Sequence, residues 1–409
     1  MEQSEKNQIV IAAIGAAGPA GEDSAEWNGR VLELVGQITA MCSPTSDVQK
    51  VIESVNDSKV FTATLLSIKK EATSTRGLLT LGTRVSEHSP DGTEQARTER
   101  TDTPLGMAMA RRCRALVGHK VAVWIDELIR HTDRFRQAAP RLFVAMLGGG
   151  AGTYASLGKN GPPVQQAIGR LLGFGSMTVP SRAIGDHLAE NIMLLGLLAA
   201  TCGKIGREIY TLMKTEFGEV EEPVPPGTVG SSTMPQKRNP KLCQDIIAAA
   251  AEIRCMVPLA LEAMMAEHEA DRTTSLMMDT AESRSCIATG DMLSRLAEIV
   301  GDLRLDPVRM RANLDLGGGL IMAEAVMLEL GAAIGRQHAH DAVYDAAQDA
   351  FVQGKSFGEL LAADTRVTTH MTPDQITGLL DPTAYTGLCA DMARAGAARA
   401  RAAAMEFSK

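Results

Sequence analysis

Aromatic side chains are scarce in this 409-residue chain, where eight Phe, four Tyr and two Trp make up 3% of the residues. A β-sandwich core leans on rings and β-branched side chains, so the scarcity argues against one. Abundant Ala and 21 Met suit closely packed helices instead. An excess of basic charge is also missing. The formal net charge is −8, which lacks the basic footprint of a nucleic-acid partner and leaves room for a locally positive site that takes an anion. Seven Cys are scattered with no CxxC and no paired His spacing, the pattern of reduced thiols in a cytoplasmic protein without a bound metal. His338 and His340 are two residues apart, so they do not share a helix face and make a poor ligand pair. No basic segment followed by an apolar run and cleavage site opens the chain, so no secretory leader is expected. The longest apolar stretch, residues 192–202, is too short for a bilayer and reads as a buried helix, so no membrane partner is expected.

What is present is mostly helical periodicity. Residues 1–53 are weakly patterned and broken by the glycines between Gly15 and Gly21. Residues 59–81 read as a helix. Residues 86–103 are polar, with Pro90 and Asp91-Gly92 as turn signals, and read as a loop or insertion. Val121, Trp124, Ile125, Leu128, Thr132 and Phe135 then recur at helical spacing. Residues 190–213 are apolar nearly all round, which marks a helix enclosed by others, and residues 240–265 give another long Ala-rich helix. Start signals follow at Asp306-Pro307, Asp381-Pro382 and the capping-box spacing of Thr372-Pro-Asp-Gln375. No alternating pattern is long enough to build a sheet. The expected fold is all-α, with long central helices between smaller helical domains. Its expected divisions are 1–53, 54–304 and 305–409.

The segment richest in chemistry is Gly227-Thr-Val-Gly-Ser-Ser-Thr-Met-Pro-Gln-Lys-Arg-Asn-Pro240. Gly227 and Gly230 permit unusual backbone angles, as a moving loop needs. Ser231 and Ser232 lie close to the cation Lys237, and Asn239-Pro240 opens a long helix whose N-terminal N–H groups favour negative charge. A serine so placed could be stabilised as an alkoxide. The same composition also describes an interdomain turn with Asn239 as a plain helix cap.

GSSTMPQKRNP resembles the GSSxMPxKxN signature of the fumarase/aspartase superfamily. Leu147-Gly-Gly-Gly-Ala-Gly-Thr153 resembles that family's GGAxGT turn; with no strand expected before it, it does not read as a nucleotide loop. Residues 206–220, 310–326 and 379–387 look like the 3-carboxy-cis,cis-muconate cycloisomerase branch. The resemblance implies a homotetramer built on a shared helical bundle, with active sites fed by several subunits, a small polycarboxylate substrate and no cofactor. It also implies that Ser231 removes a proton next to a carboxylate while Lys237 and Asn239 hold that carboxylate as it gains charge. Ser232 and Met234 fall in the same signature as substrate contacts. His268, in Glu267-His-Glu269, resembles the family's EHE element.

The front of the chain departs from that pattern. Ser54-Val-Asn-Asp57, ahead of Thr62-Ala63, is the best counterpart of the family's carboxylate-holding TSxD or SSND element, so Ser54 and Asn56 are substrate-binding candidates; Thr45-Ser-Asp47 is a rival. Where members often have GRTHxQ, this chain has Gly106-Met-Ala-Met-Ala-Arg-Arg-Cys-Arg114, without the histidine. Arg111, Arg112 and Arg114 suit bidentate carboxylate binding, and equally a solvated helix face. His119 reads as a structural neighbour of the helix around Trp124. The implied function is proton abstraction coupled to lactone formation or elimination. A lyase releasing fumarate from a succinyl compound is the alternative, and a non-catalytic homologue the third reading.

Overall fold

The computed structural model describes residues 104–224, 234 and 237–406, with side chains from Val117 onward. Twelve helices carry the described chain: α1 (Pro104–Leu142), α2 (Gly161–Leu172), α3 (Asp186–Leu212), α4 (Lys241–Glu262), α5 (Arg272–Asp302), α6 (Pro307–Asp315), α7 (Ala323–Ile334), α8 (Arg336–Gln353), α9 (Phe357–Ala363), α10 (Thr365–Thr368), α11 (Pro373–Leu379) and α12 (Cys389–Glu406). Four two-residue strands make two ribbons. β1 (Val144–Ala145) pairs parallel with β2 (Gly175–Ser176), and β3 (Val220–Glu221) pairs antiparallel with β4 (Arg304–Leu305). The all-α expectation holds.

The chain forms two compact units. One contains Glu127–Arg207 and Lys241–Glu298; the other contains the described parts of Leu78–Asp126, Glu208–Pro240 and Ile299–Lys409. In the first, α3 and α4 run antiparallel at close range because glycines line the seam. A Cβ on Gly196 would stand 2.7 Å from Val257, one on Gly203 2.9 Å from Ala250, and one on Gly206 3.0 Å from Ile246. Rising numbers on α3 meet falling numbers on α4. Ala189 and Ile192 of α3 then pack with Ala260, Ala263, Met278 and Ala281. Four of these six residues are Ala, so the helices pack there without rings to fill gaps.

In the second unit, Val326, Leu330, Val343, Phe357, Leu361, Val367, Met371 and Ile376 form one core under α7 to α11. Its short helices start on side-chain caps. Asp306 accepts from the N–H groups of Val308 and Arg309 ahead of α6, and Thr372 and Gln375 complete the capping box of α11. Asp381 caps as well, but Pro382 opens only a single 3-10 turn, Pro382–Ala384. α12 lies on α1 through small residues, where a Cβ on Gly396 would meet Ala122 at 2.8 Å.

Several details differ from the sequence reading. A strand does precede the glycine run: β1 ends at Ala145, and its pairing with β2 spans only two residues, too few to leave an alternating pattern. The run still differs from a nucleotide loop, since a turn and a 3-10 segment separate it from α2. His119 lies inside α1 rather than beside it. α3 is 27 residues long and, by length and composition, could cross a membrane; 61% of its most apolar window is buried within the protein, as in a core helix. The expected helix at 59–81, the loop at 86–103 and the patterning of 1–53 lie outside the described residues.

Candidate active site

The signature reaches the described structure through Met234, Lys237, Arg238, Asn239 and Pro240; Ser231 and Ser232 lie outside the described residues, as do Ser54 and Asn56. The Lys237 N–H donates to the Met234 carbonyl at 3.0 Å, a tight turn that ends the signature just before α4. Lys237 is exposed, Met234 is 45% exposed and Asn239 is half-buried. α4 begins at Lys241, so Pro240, not Asn239, directly precedes it. The cation and the amide stand one residue either side of Arg238, four and two residues before the first residue of α4 in the chain.

Arg238 is held. Its Nε lies 3.4 Å from Glu221 Oε1 on β3, and Arg304 of β4 approaches the other carboxylate oxygen at 3.9 Å. The ribbon is itself fastened. Arg309 donates to the carbonyls of Thr215, Glu216 and Phe217, and Asn313 Nδ2 to the Phe217 carbonyl and Glu219 Oε1. The Asp306 N–H adds a backbone bond to the Glu219 carbonyl at 2.9 Å. Sequence reasoning missed Glu221, Arg309 and Asn313, because partners 17 to 96 positions away leave no local pattern.

His268 is exposed, in the turn between α4 and α5, with φ +57. A non-glycine residue in the left-handed region carries strain of about 1–3 kcal/mol and is often found at functional sites. Arg111, Arg112 and Arg114 lie on the α1 backbone, and their side chains are outside the described set. Asp271 opens α5 by accepting from the Thr273 N–H at 2.8 Å.

A strong electrostatic perturbation lies elsewhere, between α1 and α3. His131 Nε2 is 3.0 Å from Thr201 Oγ1, and the Thr201 hydroxyl donates to Glu127 at 2.9 Å, which fixes Nε2 as the protonated nitrogen. Nδ1 then accepts from Arg134 at 3.3 Å. Burial, followed by the Arg134 charge, lowers the His131 pKa to about 4. Burial pushes Glu127 up, yet hydrogen bonds from Lys204 and Thr201, with the charges of Lys204 and Arg130, bring it below its ordinary value. Asn191, Ser285 and Thr289 are buried polar residues with one side-chain oxygen each that finds no partner. No group of three His, Cys, Asp or Glu among the described residues is arranged to hold a metal, and the five described cysteines are free thiols.

Two family models match the chain: residues 113–255 match "Lyase", and residues 319–395 match "Adenylosuccinate lyase C-terminus". The chain is 33% identical over 292 residues to 3-carboxy-cis,cis-muconate cycloisomerase of Pseudomonas putida, covering 70% of this chain and 68% of that one. The chain belongs to the fumarase/aspartase superfamily. Another superfamily relative, N-acetyl-S-(2-succino)cysteine lyase of Dickeya dadantii, is 36% identical over 270 residues, covering 66% of this chain and 60% of that one. The match thus spans about 60% of the length of such curated relatives. The crystal structure of 3-carboxy-cis,cis-muconate lactonizing enzyme from Pseudomonas putida superposes with a TM-score of 0.71 at 27% identity, covering 98% of this chain and 93% of that one. The signature from Ser231 to Asn239 lies inside the first family match.

Proposed function

We propose that this superfamily member is a cycloisomerase-type enzyme that removes a proton next to a carboxylate of a small polycarboxylic acid and makes or breaks a lactone. In the lactone-opening direction, the Ser231 alkoxide takes the proton from the carbon beside the carboxylate. The electrons pass into that carboxylate, which becomes an aci-carboxylate dianion, and then expel the ring carboxylate from the neighbouring carbon. Lactone formation reverses each step. Lys237 and Asn239 bind the growing negative charge, and such electrostatic stabilisation is the largest expected catalytic contribution. The observation that carries this reading is the pinned segment before α4, which sets an exposed ammonium and a half-buried amide on either side of a tethered arginine.

Ser232, Met234, Ser54, Asn56, Arg111, Arg112 and His268 form the proposed substrate-binding set. A cytoplasmic homotetramer with shared sites and the divisions 1–53, 54–304 and 305–409 belong to the same proposal. A second reading, elimination of fumarate from a succinyl compound, is favoured by the relative named as a succinocysteine lyase. Both use the same base and the same carboxylate holder.

The test is to supply purified full-length protein with 3-carboxy-cis,cis-muconate and, separately, with N-acetyl-S-(2-succino)cysteine. Muconate consumption is followed by ultraviolet absorbance and fumarate by a coupled assay. Ser231→Ala should lower kcat by about a thousandfold or more with assembly unchanged. Turnover of neither acid would favour a non-catalytic homologue, and full activity in Ser231→Ala would remove the serine from the mechanism.

A further inference from the structure

The two arginines that meet Glu221 come from different parts of the chain, and one of them belongs to the signature. Glu221 sits on β3 opposite Arg304 of β4 in the ribbon's register. Its carboxylate takes Arg304 on one oxygen at 3.9 Å and Arg238 on the other at 3.4 Å. The segment that leads into β3, residues 215–219, is fastened by Arg309 and Asn313 of α6 through five hydrogen bonds. A single side chain therefore couples a fixed ribbon to the residue between Lys237 and Asn239. We propose that Glu221 is a positioning residue, which holds Arg238 and thereby sets where Lys237 and Asn239 present their donors to a substrate carboxylate. This rests on the reading of Lys237 and Asn239 as the carboxylate holders.

Glu221 is about one-third exposed and Arg238 more than half. An exposed ion pair is worth about 0–1 kcal/mol to folding, so its loss should hardly change stability. Geometry is more sensitive than stability: displacing a charge-stabilising group by about 1 Å can cost on the order of a hundredfold in rate. The pair's significance lies there.

The experiment uses the full-length chain with Glu221→Gln, Arg238→Gln and both together. Steady-state kinetics are measured on whichever of the two acids is turned over, and amide hydrogen exchange over residues 237–243. Each single variant should lower kcat by roughly three- to tenfold with KM nearly unchanged. Exchange in that segment should quicken while the melting temperature stays constant, and the double variant should be no worse than the worse single one. Additive losses, or unaltered exchange in Glu221→Gln, would overturn the tether. If the parent protein turns over neither acid, the proposed function fails, and the exchange measurement alone decides the tether by the same criterion.

Discussion

His131 shows how one residue ties the molecule to pH. Its pKa falls to about 4 in the folded protein, against about 6.5 for an exposed histidine. Between those values the unfolded chain binds a proton that the native site refuses, so stability rises with pH across that window. The contribution is complete above about pH 6.5 and is lost as the pH falls toward 4, at no more than about 1.4 kcal/mol per pH unit. His187 is shifted the same way by burial, so the test compares variants. Urea denaturation at several pH values should show a shallower acid slope for His131→Gln than for the parent. Equal slopes would mean that burial, with the charges of Arg134, Arg130 and Lys204, does not hold the imidazole neutral against the pull of Glu127. Nothing in the sequence marked His131 out from Thr132 beside it; the shift arises from packing α1 on α3, which no linear spacing records.

At the scale of elements, the seam between α3 and α4 depends on what is missing from Gly203. A Cβ there meets the Cβ of Ala250 at 2.9 Å, tighter than ordinary contact and against a neighbour with no rotamer to turn. Gly203→Val should therefore force the helices apart and destabilise by about 1–3 kcal/mol, lowering the thermal midpoint; an unchanged midpoint would show that the seam yields freely. The long helices were legible because their apolar positions repeat every three to four residues, as at Val121, Trp124, Ile125 and Leu128, all buried. The caps at Asp306 and Thr372 were legible because capping is local chemistry. The strands were not, since a two-residue ribbon has no period to read. In the site, Lys237 and Asn239 stood out through a contiguous motif. Glu221 and the α6 latch did not, because their partners meet only after folding.

Assembly belongs to the whole molecule, and its signal lies in what the single chain leaves uncovered. On α3, Met193 and Leu197 are 37% and 50% exposed, on a helix otherwise buried along most of its length. On α5, Leu276 and Ile287 are 51% and 75% exposed and sit eleven residues apart, within about 20° of one another around the helix. Apolar residues aligned along long helices are what a subunit interface covers, whereas isolated exposed leucines need no partner. If four chains share one bundle, a charge at these positions would be buried without a counterion and should break the assembly. Leu197→Asp with Ile287→Asp should sediment as a smaller species while far-ultraviolet circular dichroism keeps its helical signal. Turnover should fall with assembly, because active sites fed by several subunits need their neighbours. A variant that stays assembled would place the interface on other faces. One that dissociates yet keeps full turnover would leave each chain with a complete site of its own, and the shared-site part of the proposal would fall.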